Sequence, residues 1–267
     1  MKKRMLAILL SLLTLAMAVS GCSGKKEAAE KTLLEQIKER GYLMVGTEGT
    51  WSPYTYHDEN DNLVGFEVEV AKVIADYIGV EVRYTETVWS SIFAALDAGQ
   101  VDIIVNAVTA TDDRKEKYDF STAYNYSQYA MLVRADNDEI NTLADVKGKT
   151  ASNNPTSTIG VFAEQAGCVF DDVEEAAQAI SEVLNGRADV TFNTLVSLAD
   201  YLKQHPEQKD QFKIITVSDP EPTEYVPVVK GNEDFVKVID EALDKARKDG
   251  TLTAISMKYF DVDTTQG

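Results

Sequence analysis

The stretch Val101-Asp102-Ile103-Ile104-Val105 is a short apolar run, and it is followed at Asn106 by the polar segment NAVTATDDR, residues 106–114. A run of this length and composition predicts a buried strand of a parallel sheet. In open α/β sheets, ligands bind where such strands end. The sequence therefore predicts a parallel sheet with a candidate binding edge directly after Val105.

The segments before this strand alternate between strand and helix patterns. Apolar residues favour strands at Tyr42–Gly46 and Val80–Thr85. Between them, one apolar face predicts a helix over Phe66–Ile78 that ends at Gly79, and a second helix precedes Val101. This βαβαβ order favours a right-handed, doubly wound parallel sheet.

A second set of alternating elements begins near Tyr129, so two α/β halves and two domains are expected. Its predicted strands are 130–133, 150–152, 168–170, a run from 190, and 212–217, and its predicted helices are 140–148, 157–166, 173–184 and 195–204. An extended segment at Tyr225–Val229 then leads to helices at 233–248 and 252–259. Periodicity alone leaves open to which half these last helices belong.

Thr109 and Arg114 are the candidate ligand-binding residues of the opening segment. Thr111 is placed to cap a short helical turn that carries Arg114, and Asp112 favours its amino end. A hydroxyl, free backbone N–H groups and a planar guanidinium can together hold a carboxylate. The local sequence equally allows a surface ion pair of Arg114 with Asp119 or Asp112.

The N-terminus predicts export. Lys2-Lys3-Arg4 is followed by an apolar segment, Met5–Val19, that is too short for a spanning helix and is typical of a signal peptide. Val19-Ser20-Gly21-Cys22 resembles a bacterial lipobox, in which cleavage before Cys22 leaves that cysteine to carry diacylglycerol. An ordinary signal peptide cut elsewhere is the alternative. Residues 23–31 then predict a flexible tether.

Composition excludes several kinds of site. The formal net charge of −18 disfavours nucleic acid and anionic lipid as partners, so an anionic ligand would need a local cationic cluster. With Cys22 lipidated, Cys168 would be the one cysteine thiol left in the mature chain, and His57 and His205 are the two histidines of the sequence. A disulfide within the mature chain is therefore excluded, Cys168 is interpreted as a core residue, and we expect neither a metal nor a cofactor.

Six short motifs occur in a characteristic order. They are GTEGTWSPY at 46–54, GFEVEVA at 65–71, Thr109 with Arg114, YDFS at 118–121, GRAD at 186–189 and DGT at 249–251. In this order they resemble the family-3 solute-binding proteins, the polar amino-acid-binding proteins of ABC importers, and most closely the cystine-type branch. The resemblance covers residues 32–261.

The resemblance implies an α/β, two-lobe periplasmic-binding-protein-like fold in which each lobe is a doubly wound, mostly parallel sheet. Two extended crossings, near 126–130 and 224–228, would hinge the lobes. The expected organisation is a lipoprotein signal peptide at 1–21, a tether at 22–31, lobe 1 at 32–127 plus 226–261, lobe 2 at 128–225, and a tail at 262–267.

The family pattern also implies roles at the carboxylate end of a ligand. Arg114 would hold the ligand α-carboxylate, with Thr109 beside it. Donors at Ser157 and Thr158, where a lobe 2 helix opens, would complete the carboxylate site.

For the rest of the ligand, Trp51 and Trp89 would enclose the side chain and Glu48 would reach its distal polar end. At Thr194 the sequence departs from the pattern, because family members place there an aspartate that binds the ligand α-ammonium. A charge-assisted contact of about 1.5–3 kcal/mol would be missing. The Ala107 carbonyl and Glu67 are candidates to replace it; otherwise the ligand lacks an ordinary α-amine.

The expected function is that of a lipid-anchored, monomeric, extracytoplasmic receptor without enzymatic activity. It would close two lobes on a small carboxylate-bearing ligand (an amino acid, cystine or an analogue) and deliver it to an ABC permease. One alternative is an enzyme resembling the cyclohexadienyl dehydratases, which act on prephenate or arogenate. Against it, the sequence reveals no carboxylic acid in a clear general-acid setting. A surface adhesin or sensory module is a third possibility.

Overall fold

The computed structural model describes residues 31–217 and 222–266. Of these, residues 32–217 and 222–266 belong to one compact unit. None of the helices among the described residues is both long enough and apolar enough to span a bilayer.

The first half of the chain contains nine strands and four helices among the described residues. The strands are β1 (Tyr42–Thr47), β2 (Thr50–Trp51), β3 (Thr55–His57), β4 (Leu63–Val64), β5 (Glu81–Glu86), β6 (Ile103–Ile104), β7 (Tyr118–Phe120), β8 (Asn125–Tyr126) and β9 (Tyr129–Arg134), and the helices are α1 (Leu33–Arg40), α2 (Phe66–Ile78), α3 (Trp89–Asp97) and α4 (Asp112–Lys117). As predicted, Gly79 ends α2 in a left-handed conformation, with φ of 83°.

The second half follows the alternation of strand and helix more regularly and includes two short 3₁₀ turns. The 3₁₀ turns are Leu143–Val146 and Pro206–Gln208, the strands are β10 (Thr150–Asn153), β11 (Val169–Asp172), β12 (Val190–Thr194), β13 (Phe212–Thr216), β14 (Thr223–Glu224) and β15 (Pro227–Val229), and the helices are α5 (Thr158–Gln165), α6 (Ala176–Leu184), α7 (Leu195–Gln204), α8 (Glu233–Lys248) and α9 (Thr251–Phe260).

Two five-stranded sheets organise these elements, with strand orders β5-β1-β6-β15-β7 and β11-β10-β12-β9-β13. In the first, β5, β1 and β6 run parallel and β15 is antiparallel to both its neighbours. In the second, β11, β10 and β12 run parallel and β9 is antiparallel to both its neighbours. We call each sheet with the helices packed on it a lobe. The predicted two-lobe α/β fold is confirmed.

The chain passes between the sheets twice. It leaves the first sheet after β7 and enters the second at β9, and it returns through β14 to β15. On the way, β8 and β14 pair as a small antiparallel sheet in which Glu224 faces Asn125. Along the chain, the antiparallel strand of each sheet is thus the first strand of that sheet after a crossing. The exact lobe boundaries, 127/128 and 225/226, stay predictions.

The last two helices pack on the first sheet. Phe235 and Ile239 of α8 share a buried core with Leu43 and Val45 of β1 and with Phe66 of α2. The apolar face of α8 explains why the helix packs here, because burial of such side chains is the main favourable contribution to folding. The long helix therefore belongs to lobe 1.

Two predicted elements differ from those observed. Of Val101–Val105, only β6 forms a regular ladder, although the N–H groups of Asp102 and Val105 still donate to Met44 and Gly46 of β1. The predicted helix at 140–148 is the 3₁₀ turn Leu143–Val146, since so short and polar a segment has little apolar surface to stabilise a longer helix.

Candidate functional site

A cavity of about 100 Å³ lies between the lobes. Its lobe 1 wall includes Glu48, directly after β1, and Thr109, after β6. Its lobe 2 wall includes Thr158, at the start of α5, and Thr194, at the end of β12. The carboxyl ends of strands from both sheets therefore meet at the edge where α/β sheets bind ligands.

The cavity brings together most of the residues that the sequence indicated. Those that line it are Glu48, Trp51, Trp89, Ala107, Thr109, Ser157, Thr158 and Thr194. Arg114 does not line it directly, but its Nη1 donates to the Thr109 carbonyl oxygen at 3.0 Å and to Thr158 Oγ1 at 3.2 Å. Cys22 lies outside the described residues.

The guanidinium of Arg114 is half-buried behind this wall. Thr111 caps α4 by accepting the Arg114 N–H, as predicted. The guanidinium carbon lies 5.2 Å from the centre of the Trp89 ring and 4.9 Å from that of Phe93. Burial lowers the pKa of Arg114 from its ordinary value, yet an arginine stays protonated in proteins.

The surface ion pair considered for Arg114 does not form. Asp112 pairs with Lys115 at 3.5 Å, and Asp119 pairs with Lys230 at 3.3 Å. Among the described residues no carboxylate forms an ion pair with Arg114. The Arg114 guanidinium is therefore available to bind the anionic group of a ligand.

The start of α5 is built by close packing. Ser157 caps the helix by accepting the Gly160 N–H at 2.9 Å. A Cβ atom at Gly160 would lie 2.0 Å from the carbonyl oxygen of Asn154, so only glycine fits this approach. The packing holds Ser157 and Thr158 at the cavity wall.

Glu48 faces the cavity from the other side. Its Oε2 accepts a 2.6 Å hydrogen bond from Asn106 Nδ2. Burial raises the pKa of Glu48 to about 7, although the bond from Asn106 opposes the shift. At neutral pH this carboxyl group is therefore poised between its neutral and charged forms.

Sequence reasoning missed three acidic residues of the cavity, Glu174, Glu175 and Glu224. The first two stand before α6, within a segment predicted as helix, and Glu224 lies in a predicted crossing. No local motif marked them, because only the meeting of the lobes brings them to the cavity. Glu67, proposed as a substitute for the missing aspartate, does not line the cavity; its carboxylate instead accepts the Tyr124 hydroxyl at 2.6 Å.

Polar contacts join the lobes on both sides of the cavity. On one side Trp51 Nε1 donates to Ser197 Oγ at 3.0 Å, and Ser52 Oγ donates to Asp200 Oδ2 at 2.7 Å. On the other side the backbone N–H of Ser90 donates to Glu174 Oε1 at 3.0 Å. The cleft is thus closed.

Residues 43–262 match the model of the bacterial extracellular solute-binding proteins, family 3. The chain belongs to this family. Among its relatives, the L-cystine-binding protein TcyA of Bacillus subtilis is 37% identical over 100% of both chains. The L-cystine-binding protein TcyJ of Escherichia coli K12 is 33% identical over 94% of this chain and 95% of its own. The family predicted from the motifs is confirmed.

Solved structures show the same fold. An ancestral arginine-binding protein bound to arginine has a TM-score of 0.77 at 34% identity, covering 83% of this chain and 99% of its own. The unliganded, open L-cystine solute receptor of Neisseria gonorrhoeae has a TM-score of 0.62 at 33% identity, covering 89% of this chain and 100% of its own.

Proposed function

We propose that this family 3 protein is the ligand receptor of an amino-acid-type ABC importer and that it closes its lobes on an α-amino acid of the L-cystine class. The observation that carries this proposal is the guanidinium of Arg114. It forms no ion pair with a described carboxylate, and it donates hydrogen bonds to Thr109 of one lobe and Thr158 of the other. An α-carboxylate at this place would contact both lobes and so favour the closed form.

The carboxylate end is proposed at Arg114, Thr109, Ser157 and Thr158. A guanidinium offers a carboxylate two parallel hydrogen bonds, and the first N–H groups of α5 add donors. The Ser157 hydroxyl caps α5 and the Ser157 N–H donates to the Asn154 carbonyl oxygen at 3.2 Å, so Ser157 would help mainly by holding the first turn of α5 in place.

The side-chain end is proposed between Trp51 and Trp89, with Glu48 beyond them. Trp51 stacks on Tyr54 at 4.4 Å, which fixes its indole at the cavity wall. Glu48 and the neighbouring Glu174 and Glu175 make the far end acidic. Such an end suits a second ammonium group, which cystine carries, and the two L-cystine-binding relatives support this ligand class.

Isothermal titration of the purified protein with L-cystine, other amino acids and dicarboxylates tests the proposal, together with mass spectrometry of any ligand that co-purifies. We expect L-cystine to bind, and at about a hundred times its dissociation constant to raise the free energy of unfolding by about 2.7 kcal/mol. Failure of every amino acid to bind would contradict the proposal.

Cys22 is proposed as the site of a lipid anchor that holds a monomeric receptor outside the cytoplasmic membrane, next to its permease. The lipobox resemblance at residues 19–22 supports it. Metabolic labelling with a radioactive fatty acid should mark the wild-type protein and leave Cys22→Ala unlabelled and released from the membrane.

A dehydratase is the second candidate, because the cavity contains two carboxyl groups, Glu48 and Glu224, whose pKa burial raises to about 7. A carboxylic acid with such a pKa can act as a general acid. An ancestral amino-acid-binding protein that preceded cyclohexadienyl dehydratase is also similar, at 28% identity and a TM-score of 0.78, covering 86% of this chain and 100% of its own. We expect no activity: incubation with prephenate should yield no phenylpyruvate absorbance.

A further inference from the structure

Glu224 is a buried carboxyl group at the junction of the two lobes. It ends β14, the returning crossing strand, and only 2% of its surface is exposed. Asn125 Nδ2 donates to its Oε2 at 2.8 Å, and Ser127 Oγ donates to its Oε1. Its remaining surface lines the cavity, so Glu224 faces the space proposed for the ligand.

No cation compensates this carboxyl group among the described residues. The titratable groups that face it are Glu67 of α2, Tyr54, Tyr124 and Tyr129. Glu67 is 1% exposed, and its Oε1 has no hydrogen-bond partner. Two buried carboxyl groups without a positive partner can both ionise only if a cation comes from outside.

Glu224 is linked through polar side chains to position 194, where the resemblance implies an ammonium-binding aspartate in the family. The Tyr54 hydroxyl, 3.2 Å from Ser127 Oγ, also interacts with Thr194. Ser127 in turn donates to Glu224. A chain of polar contacts therefore connects position 194 to the Glu224 carboxylate.

The same carboxylate lies at the end of the cavity where the α-carboxylate is proposed. Tyr129 lines the cavity and interacts with both Glu224 and Arg114. A group that binds the α-ammonium must be near the group that binds the α-carboxylate, because one carbon carries both. Glu174 and Glu175 each interact with Glu48, and these three glutamates form a second acidic cluster of the cavity.

We propose that Glu224 binds the α-ammonium group of the ligand and so replaces the aspartate that family members carry where this chain has Thr194. This inference rests on the proposed function. The ammonium would donate to the free lone pairs of the Glu224 carboxylate while Asn125 and Ser127 keep their bonds. Because Glu224 lies on a crossing strand, its contact with the ligand would be made at the hinge itself.

The test compares L-cystine with 3,3′-dithiodipropionate, which is cystine without its ammonium groups, by isothermal titration at neutral pH. Wild-type protein should prefer L-cystine by at least about 10-fold. Glu224→Gln should weaken L-cystine binding by about 10- to 150-fold while the affinity for 3,3′-dithiodipropionate stays the same or rises. The preference for L-cystine over 3,3′-dithiodipropionate should thus fall by about that factor.

Two further variants separate recognition from a structural role. Glu67→Gln changes the second buried carboxyl of the network, which does not line the cavity, and should keep the preference within about threefold. Thr194→Asp combined with Glu224→Gln should restore the preference by returning a carboxylate to the family position.

The outcomes distinguish this inference from the proposed function. If wild-type protein binds no amino acid, the proposed function fails. If it binds L-cystine but Glu224→Gln weakens both ligands equally, Glu224 is a structural hinge residue and the inference is overturned. An undiminished preference in Glu224→Gln would overturn it as well.

Discussion

Arg114 shows how one residue can be prepared for a ligand. Its charge is half-buried behind the cavity wall and lies near two aromatic rings, and among the described residues its hydrogen bonds go to neutral oxygen atoms. Burial of a cation without a carboxylate partner costs free energy. A ligand carboxylate would remove this cost, so the setting of Arg114 favours binding of a carboxylate.

Arg114→Ala should therefore weaken L-cystine binding by at least about 30-fold, because a buried charge pair loses one partner. Isothermal titration measures the change. Thermal unfolding of the unliganded variant should stay close to that of wild type, since no described residue relies on Arg114 for an ion pair.

Arg187→Ala is the matched control, because Arg187 is an exposed arginine whose ion pair with Glu182 lies away from the cavity. It should bind L-cystine as wild type does. Unchanged affinity in Arg114→Ala would contradict the assignment of the carboxylate site.

At the scale of elements, the amino end of α3 makes a contact across the cleft. The N–H of Ser90, in the first turn of α3, has no acceptor within the helix and donates to Glu174. The Glu174 carboxylate also accepts a hydrogen bond from Asn154 Nδ2 at 2.9 Å. The helix dipole favours a negative charge at this end. Because α3 belongs to lobe 1 and Glu174 to lobe 2, this hydrogen bond stabilises the closed arrangement.

Glu174→Gln should weaken ligand binding by about two- to fivefold, since the loss of one partly exposed charge at a helix end amounts to about 0.3–1 kcal/mol. Small-angle scattering of the unliganded variant should show a larger radius of gyration than wild type. Glu164→Gln, at an exposed position of α5, is the control. Equal radii for Glu174→Gln and wild type would contradict a role in closure.

At the scale of the whole molecule, the two crossings enclose carboxyl groups that water would otherwise solvate. Burial raises the pKa of Glu224 from 4.5 to about 7, while the bonds from Ser127 and Asn125 oppose the shift. The folded protein therefore keeps a proton that the unfolded chain releases between these pH values. Stability that depends on this proton is present at low pH and is lost as the pH rises through about 7.

Unfolding by denaturant at about pH 5 and about pH 8 tests this dependence on unliganded protein. Because a glutamine side chain does not titrate, Glu224→Gln should gain up to about 3 kcal/mol relative to wild type between the two pH values. An equal change in both proteins would contradict the raised pKa of Glu224. Glu48 titrates in the same range, and its contribution cancels in this comparison.

Local patterns predicted most of the fold. The apolar faces of α2 and α8 and the short apolar strands lie where periodicity placed them, because each depends on neighbours in sequence. The candidate site was predicted at Thr109 and Arg114 for the same reason. The ladder of β6 and the turn at 143–146 are shorter than the predicted strand and helix, because their length depends on contacts with distant strands and surfaces.

The sequence by itself determined the order of elements, the edge at which strands end in polar residues, and the family. Only the tertiary structure decided which carboxyl groups meet there: Glu224 faces the cavity from a crossing strand, Glu67 is turned away to Tyr124, and Glu174 bonds to Ser90. These contacts join residues far apart in the chain. The physical reason is that burial and long-range hydrogen bonds, unlike periodicity, arise only when folding brings distant segments of the chain together.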